Sequence, residues 1–168
     1  VRCLKEMNRF VRLTVIGDGP CIQDLRRLAA GLGVEDRVAI LGRLPFAEIR
    51  PLIARSDIGI IPHYATDAWN TTIPNKLFDY MQMGLSVLVS DAKPTARIVH
   101  AESCGEVFLD RNPLDFARGV MRLEDPEVRK KAGRAGKVAV RERYNWECDA
   151  RVLIKTIENV QHNCSARA

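Results

Sequence analysis

Lys76 and Asp79 are the side chains whose type and spacing best suit chemistry on a charged ligand. They stand about one helical turn apart, behind the polar run Thr71-Thr72-Ile73-Pro74-Asn75. Thr72 has the side chain of an N-cap, and the fixed φ of Pro74 suits a first helical turn. The pattern predicts a helix from there to about Met83, closed by Gly84 as its C′ residue. A helix start of this kind leaves N–H groups free and carries the positive end of the dipole, so it can hold an anion. A lysine in that turn is disfavoured by the dipole unless a negative ligand offsets it. The amides of Ile73, Asn75 and Lys76, with the Lys76 ammonium, thus form a candidate anion cradle. A carboxylate at Asp79 could accept hydrogen bonds from hydroxyls beside it. Phosphates on the cradle and ribose hydroxyls on the carboxylate would suit a nucleotide diphosphate. The bland alternative for Asp79 is a helix-start acid that complements the dipole.

Other candidates are weaker. Gly17-Asp18-Gly19-Pro20 follows a β-branched run, and a Gly-x-Gly there could approach a phosphate. It lacks the third glycine of a dinucleotide fingerprint, so a plain strand-to-helix turn is the alternative. The loop 63–72 is the longest irregular stretch and carries His63, Tyr64, Asp67, Trp69 and Asn70, as binding loops often do. His63 reads either as a base or as a satisfied strand-end histidine. Trp69 reads either as a cover for a sugar or as a lid on the core edge. The histidines His63, His100 and His162 sit far apart, in no ligating spacing, and the expectation is that no metal takes part.

The elements that must position these residues alternate. Strands are predicted at 11–16, 38–41, 57–62, 86–90 and 106–109. Helices are predicted at 21–32, 46–55, 93–102, 112–123, 125–144 and from Asn145 onward, and Pro51 should kink or restart the second of these. Asn112-Pro113 and Asp125-Pro126 are cap-plus-proline starts. Val152, Leu153, Ile157 and Val160 form an apolar stripe on the last helix. Strand alternating with helix implies an α/β fold with a doubly wound, Rossmann-like parallel sheet, whose ligands lie at the carboxyl ends of the strands.

Bulk properties narrow the class. The 168 residues suffice for one domain with a core, and 46% hydrophobic with 28% charged residues is a globular composition. The net charge of +5 is mild, and the basic cluster 129–143 reads as a solvated helix face, so no nucleic-acid partner is expected. Cys3, Cys21, Cys104, Cys148 and Cys164 are odd in number and widely spaced, which argues for free thiols in a reducing, cytoplasmic compartment. No apolar run approaches the ~18 residues of a membrane span.

The stretch 71–91 resembles the retaining group 1 (family four) glycosyltransferases of the GT-B fold. Their motif carries Glu-Gly-Phe-Gly and then Glu-Ala-Met-Ala-x-Gly-x-Pro-Val, with the two glutamates eight positions apart. Without gaps, Thr71 falls on the first glutamate, Asp79 on the second, Met81 on the methionine and Gly84 on the last glycine. Pro74 to Met81 also resembles the sub-pattern Pro-Asn-Lys-Leu-Phe-Glu-Tyr-Met, Val15 to Pro20 the family's strand and turn, and Asn145-Trp146-Glu147 its closing helix. The departures are Thr71 for a carboxylate, Pro74 where a glycine would offer an N–H, and Ser86 for proline.

The resemblance implies that residues 1–168 form the donor-binding half of such an enzyme. The substrate would be a nucleotide-diphosphate sugar, with no cofactor and no metal. Gly17 and Gly19 would lie near the phosphates, Arg43 and Leu44 against the base, Thr71, Thr72, Ile73, Asn75 and Lys76 around the diphosphate, and Asp79 on the ribose. Lys76 would stabilise the leaving diphosphate and so act in catalysis. The acceptor, whether glycan, lipid-linked or small molecule, would bind an N-terminal domain outside this sequence. The family's Arg–Lys pair is also absent from it, so these residues alone are expected not to turn over. Attachment at the inner face of a membrane is compatible with such a role. A non-catalytic nucleotide-binding module and a nucleotide-sugar epimerase-like enzyme are the alternatives; the second would need an acid–base pair facing the sugar, and the sequence offers none.

Overall fold

The computed structural model describes residues 1–165, with side chains to residue 160, so His162 and Cys164 lie outside the described side chains. The elements run α1 (Arg2–Glu6), β1 (Leu13–Val15), α2 (Ile22–Gly31), a 3-10 turn (Glu35–Arg37), β2 (Val38–Ile40), α3 (Phe46–Ala54) and β3 (Ile58–Ile61). They continue with α4 (Lys76–Gln82), β4 (Ser86–Ser90), α5 (Lys93–Glu102), β5 (Gly105–Phe108), α6 (Pro113–Arg122), α7 (Pro126–Glu142) and α8 (Trp146–Ser165). Every strand pairing is parallel, as alternation of strand and helix requires. The strands form two groups, β1-β2 and β3-β4-β5.

The core is built on β4, whose five residues are all buried. Alternation sends Val87 and Val89 to one face, where Leu77 and Met81 of α4, Ile98 and Val99 of α5, Cys104 and Ala139 of α7 meet them. Leu88 points to the other face, onto Phe108, Leu123 and the half-buried Phe116 and Val120 of α6. Helices therefore cover both faces, and the sheet is doubly wound. A continuous apolar strand is what burial on both faces demands.

The capping signals act where the sequence places them. Asn112 Oδ1 accepts from Asp115 N at 3.0 Å, Asp125 Oδ1 from Glu127 N at 2.8 Å and Asn145 Oδ1 from Cys148 N at 3.0 Å. Pro51, by contrast, does not restart α3, which runs through it. The carbonyl its ring deprives of a partner belongs to Ala47, in the exposed first turn, where solvent can satisfy it.

The stretch 125–144 is more than a basic face. Ala132, Gly133, Gly136 and Ala139 of α7 are buried against α4 and β4, while most of its charged residues stay outside. Beyond Trp146 the apolar stripe of α8 stays exposed: Val152, Leu153, Ile157 and Val160 are each about half accessible or more. No helix of the described residues is long and apolar enough to cross a membrane.

Candidate functional site

α4 starts later than its sequence suggests. Its first residue is Lys76, and Asn75, in helical conformation, precedes it without a capping side chain. Thr72 is not the N-cap. Its hydroxyl donates to the Ala68 carbonyl at 3.2 Å, and the Thr71 hydroxyl donates to the same oxygen at 2.9 Å. Both threonines thus belong to the turn before the helix. Pro74 is not a first-turn residue either; its carbonyl accepts from Leu77 N at 3.0 Å and so opens the helix. Leu77 and Met81, fully buried, anchor α4 on the core, and burying two such side chains contributes roughly 1.5–3 kcal/mol each. Gly84 adopts φ +77° after α4, which only glycine does cheaply, and the chain turns at once into β4.

The outward side of the first turn of α4 is polar and unengaged. Lys76 and Asp79 are both exposed. Neither side chain has a hydrogen bond or ion pair among the described residues, and the amides of Ile73, Asn75 and Lys76 likewise have no partner there. Asp79 makes no capping bond, so its carboxylate is left free to accept. The helix has only seven residues, so its dipole adds little and the amides and the ammonium carry most of the field.

The loop between β3 and α4 packs against the same place. His63 stacks on Trp69 with ring centroids 3.7 Å apart and planes 22° apart. Burial first, and then the positive charge of Lys76, push the His63 imidazole below its ordinary value, so it is neutral near pH 7. The backbone of His63 is held by Ser90, whose hydroxyl donates to the His63 carbonyl at 2.5 Å. Asn70 Oδ1 accepts from Lys93 N at 2.9 Å and ties the loop to the start of α5. Asp110 Oδ2 accepts from Ala65 N at 3.1 Å, and the Asp110 amide donates to Asp91 at 2.9 Å. The Arg111 guanidinium lies 4.9 Å from the ring of Tyr64. Asp91 and Asp110 are framework residues the sequence reading missed. The available signal was their position, just after β4 and β5, at the carboxyl edge of the sheet.

The remaining expected residues lie by β1 and β2. Gly17 and Gly19 sit in the turn after β1, and Arg43 and Leu44 follow β2. The Gly17 amide donates to the Gly42 carbonyl at 2.8 Å, which joins the two turns. The Gly19 amide donates to Asp18 Oδ1 at 2.8 Å. Both glycine amides are therefore engaged, as in a plain strand-to-helix turn, and neither is free for a phosphate in this conformation. Arg43 is exposed and has no ion pair among the described residues. The structure thus gathers Lys76, His63 and Trp69 in one cluster and Gly17, Gly42 and Arg43 in another, with no hydrogen bond between the two among the described residues. A cavity of about 610 Å³ lies between β1 and β3, and none of these expected residues lines it.

Chemically, the first turn of α4 offers donors and one cation for an anion, with a free carboxylate one turn on. Among the described residues no three His, Cys, Asp or Glu side chains gather as a metal site.

Comparison with known proteins bears on the family and the fold. The family profile described as "Glycosyl transferases group 1" matches residues 1–125. An uncharacterized glycosyltransferase of Methanocaldococcus jannaschii is 24% identical over 157 residues, which is 93% of this chain and 39% of that protein. The fold of a sucrose-phosphate synthase from Thermosynechococcus elongatus matches with a TM-score of 0.76 at 18% identity, over 90% of this chain and 39% of that one. WaaG, a glycosyltransferase involved in lipopolysaccharide biosynthesis, matches with a TM-score of 0.66 at 19% identity, over 79% of this chain and 34% of that one. At such identities the likeness to the two solved structures is one of fold. The chain spans about two-fifths or less of the length of these proteins, and it falls on their C-terminal part.

Proposed function

The chain belongs to the group 1 glycosyltransferases, and from that premise we propose that it is the half that binds the sugar donor, a nucleotide-diphosphate sugar. The observation that carries the reading is the first turn of α4, where the exposed Lys76 and Asp79 and the amides of Ile73, Asn75 and Lys76 have no partners among the described residues. Leaving-group stabilisation is the chemical need of sugar transfer from a diphosphate. Donors aimed at the departing phosphate stabilise charge as it develops, and the Lys76 ammonium is the strongest of them. Asp79 accepts from the ribose hydroxyls, through a water if the shorter side chain falls short. Arg43 and Leu44 flank the base from the β2 side. Transfer proceeds with retention, without a metal, once the acceptor domain of the full-length protein closes over the site.

The test is calorimetric. Lys76→Ala should weaken binding of a nucleoside diphosphate by roughly 1–3 kcal/mol and leave the bare nucleoside almost unaffected. The wild type should prefer the ribonucleotide over its 2′,3′-dideoxy form by about ten-fold, and Asp79→Ala should abolish that preference. A chelator should change neither result. Equal loss of nucleoside and diphosphate affinity in Lys76→Ala would place the cradle elsewhere.

One observation favours a second reading, a binding module without transfer. Thr71 occupies the place of the family's first glutamate, and its hydroxyl is turned back onto the Ala68 carbonyl. Sugar transfer by the full-length protein decides between the two.

A further inference from the structure

The site at the first turn of α4 is short of positive charge. A nucleotide-diphosphate sugar carries a negative charge on each phosphate, and α4 supplies one cation, Lys76. A second basic group is already in place. His63 lies just past β3, at the carboxyl edge of the sheet, and its imidazole is close enough to Lys76 for the ammonium charge to act on it. Two contacts fix the ring. The Ser90 hydroxyl donates to the His63 carbonyl at 2.5 Å and pins that backbone to the end of β4. The imidazole then stacks on Trp69, with ring centroids 3.7 Å apart and planes 22° apart. Trp69 is placed in turn by its own neighbours: the Asn70 amide donates to the Thr66 carbonyl at 2.8 Å, and Asn70 Oδ1 accepts from Lys93 N at 2.9 Å. The ring is thus held in position with no polar partner. Neither of its nitrogens has a hydrogen bond among the described residues. Arg37 Nε is the one buried side-chain polar atom without a partner among those residues, so both imidazole nitrogens reach solvent.

The surroundings decide the charge of that ring. It is neutral because it is partly buried and because Lys76 repels a second positive charge. Charged side chains stand on every element that meets the loop: Lys76 and Asp79 on α4, Asp91 and Lys93 after β4, Asp110 and Arg111 after β5, and Asp67 in the loop itself. Lys76 is the one whose charge acts on the imidazole. Asp110 is turned to Ala65 N and Asp91 to the Asp110 amide, so neither carboxylate pairs with the ring. No resident anion therefore holds a proton on His63. An anion bound at Lys76 reverses this balance. It offsets the ammonium and brings an opposite charge beside the ring, and an opposite charge within ~4–6 Å favours the charged form. Trp69 suits the product, since an indole face attracts a cation that lies within ~6 Å of it.

We propose that His63 is a second cation of the site: when a diphosphate settles on Lys76, the imidazole takes a proton from solvent and donates a hydrogen bond to a phosphate oxygen. The inference rests on the reading that the first turn of α4 holds the diphosphate. One proton passes from water to the imidazole, and no covalent bond of the ligand changes. Affinity for the diphosphate then depends on pH, because the titration midpoint of His63 is higher in the bound protein than in the free one. Below the free midpoint the ring is already charged, and affinity is greatest. Between the two midpoints binding takes up protons, and affinity falls as pH rises. Above the bound midpoint the contribution of His63 is gone.

The test uses the full-length protein with isotope-labelled histidine, and ADP, GDP, UDP and dTDP as probes, the tightest being carried forward. His63, assigned by the signal lost in His63→Gln, is titrated by NMR in the free protein, with saturating diphosphate and with the bare nucleoside. Its midpoint should rise by about one pH unit or more with the diphosphate and stay in place with the nucleoside. Calorimetry then follows diphosphate affinity between about pH 8 and about pH 5.5, the range in which a histidine changes charge. The terminal phosphate of the probe itself titrates near ~6, so affinity is read as the ratio of wild type to His63→Gln. That ratio should rise roughly three- to ten-fold as pH falls across the range. A midpoint that stays in place or falls when the diphosphate is bound, or a ratio indifferent to pH, would overturn the proposal and leave the donor reading standing. A midpoint raised equally by the bare nucleoside would overturn it too, because the phosphates would not be the cause. Should no nucleoside diphosphate bind the wild type at any pH, the donor reading falls and this proposal falls with it.

Discussion

Gly133→Ala is the sharpest probe of how α4, and with it Lys76 and Asp79, is held in place. A Cβ added at Gly133 would lie 1.9 Å from the Gly84 carbonyl oxygen and 2.8 Å from its carbon. Both atoms are backbone, and Gly84 is fixed at φ +77° as the stop of α4. Real Cβ atoms essentially never come within 3.0 Å, so α7 must withdraw by at least about 1.1 Å or the turn must deform. Overpacking costs about 1–3 kcal/mol, and an obstruction that cannot rotate away belongs at the upper end. Alanine returns about 1 kcal/mol of helix propensity. The net loss is about 2 kcal/mol, a fall in Tm of roughly 4–8 °C for a domain of this size. Gly31→Ala is the matched control. It sits in the last turn of α2, where an added Cβ meets nothing within 4 Å, so the same exchange should raise stability by up to ~1 kcal/mol. Gly119→Ala should fall between, since its Cβ would meet the movable Leu88 Cδ1 at 2.6 Å. Thermal unfolding followed by circular dichroism reads all three. Gly133→Ala melting at or above Gly31→Ala would refute the close approach of α7 to the α4 turn.

Further outcomes follow from the charge and burial of named groups. Glu102, with its side chain 8% exposed, accepts from Arg143 and from the Tyr144 hydroxyl at 2.9 Å, and the Arg143 hydrogen bond chiefly holds its carboxyl below the usual range. A depressed carboxylate stabilises the fold above its unfolded value and loses that contribution as pH falls through the folded one. Acid unfolding should therefore steepen below about pH 4.3, and Glu102→Gln should remove that increment. Tyr144→Phe should cost about 1 kcal/mol at neutral pH, measured by denaturant titration. Cys104, buried and pushed up to about 11 chiefly by desolvation, should resist a thiol reagent in the native protein while the exposed Cys21 reacts; rapid labelling of Cys104 would show that the core opens. Lys76→Gln should raise the His63 titration seen by NMR without restoring it fully, because burial, the larger cause, remains; no movement would place Lys76 away from the imidazole.

Much of the scaffold was legible because it is encoded by near neighbours. Asn112, Asp125 and Asn145 cap helices through amides two or three residues away, and Gly84 stops α4 by its own φ. The apolar run of β4 announces burial on both faces, and the spacing of Asp79, Met81 and Gly84 carries the family likeness.

What the sequence by itself determined about this protein is the order of strands and helices, their local caps, the family, and the residues that crowd the start of α4. Only the tertiary structure decided where α4 begins, because the threonine hydroxyls had to choose between its amides and the Ala68 carbonyl. It also decided that Gly17 and Gly19 are engaged, that His63 lies on Trp69, and that Ser90 and Asp110, the latter braced by Asp91, hold the loop from 27 and 45 residues away. Likewise it set Gly133 of α7 against Gly84 and left a cavity between β1 and β3. The physical reason is the range of the interaction. A cap or a turn is settled by the few residues that form it. A contact between segments depends on which of several competing partners the packed chain brings within hydrogen-bond or van der Waals reach, and no local pattern specifies that choice.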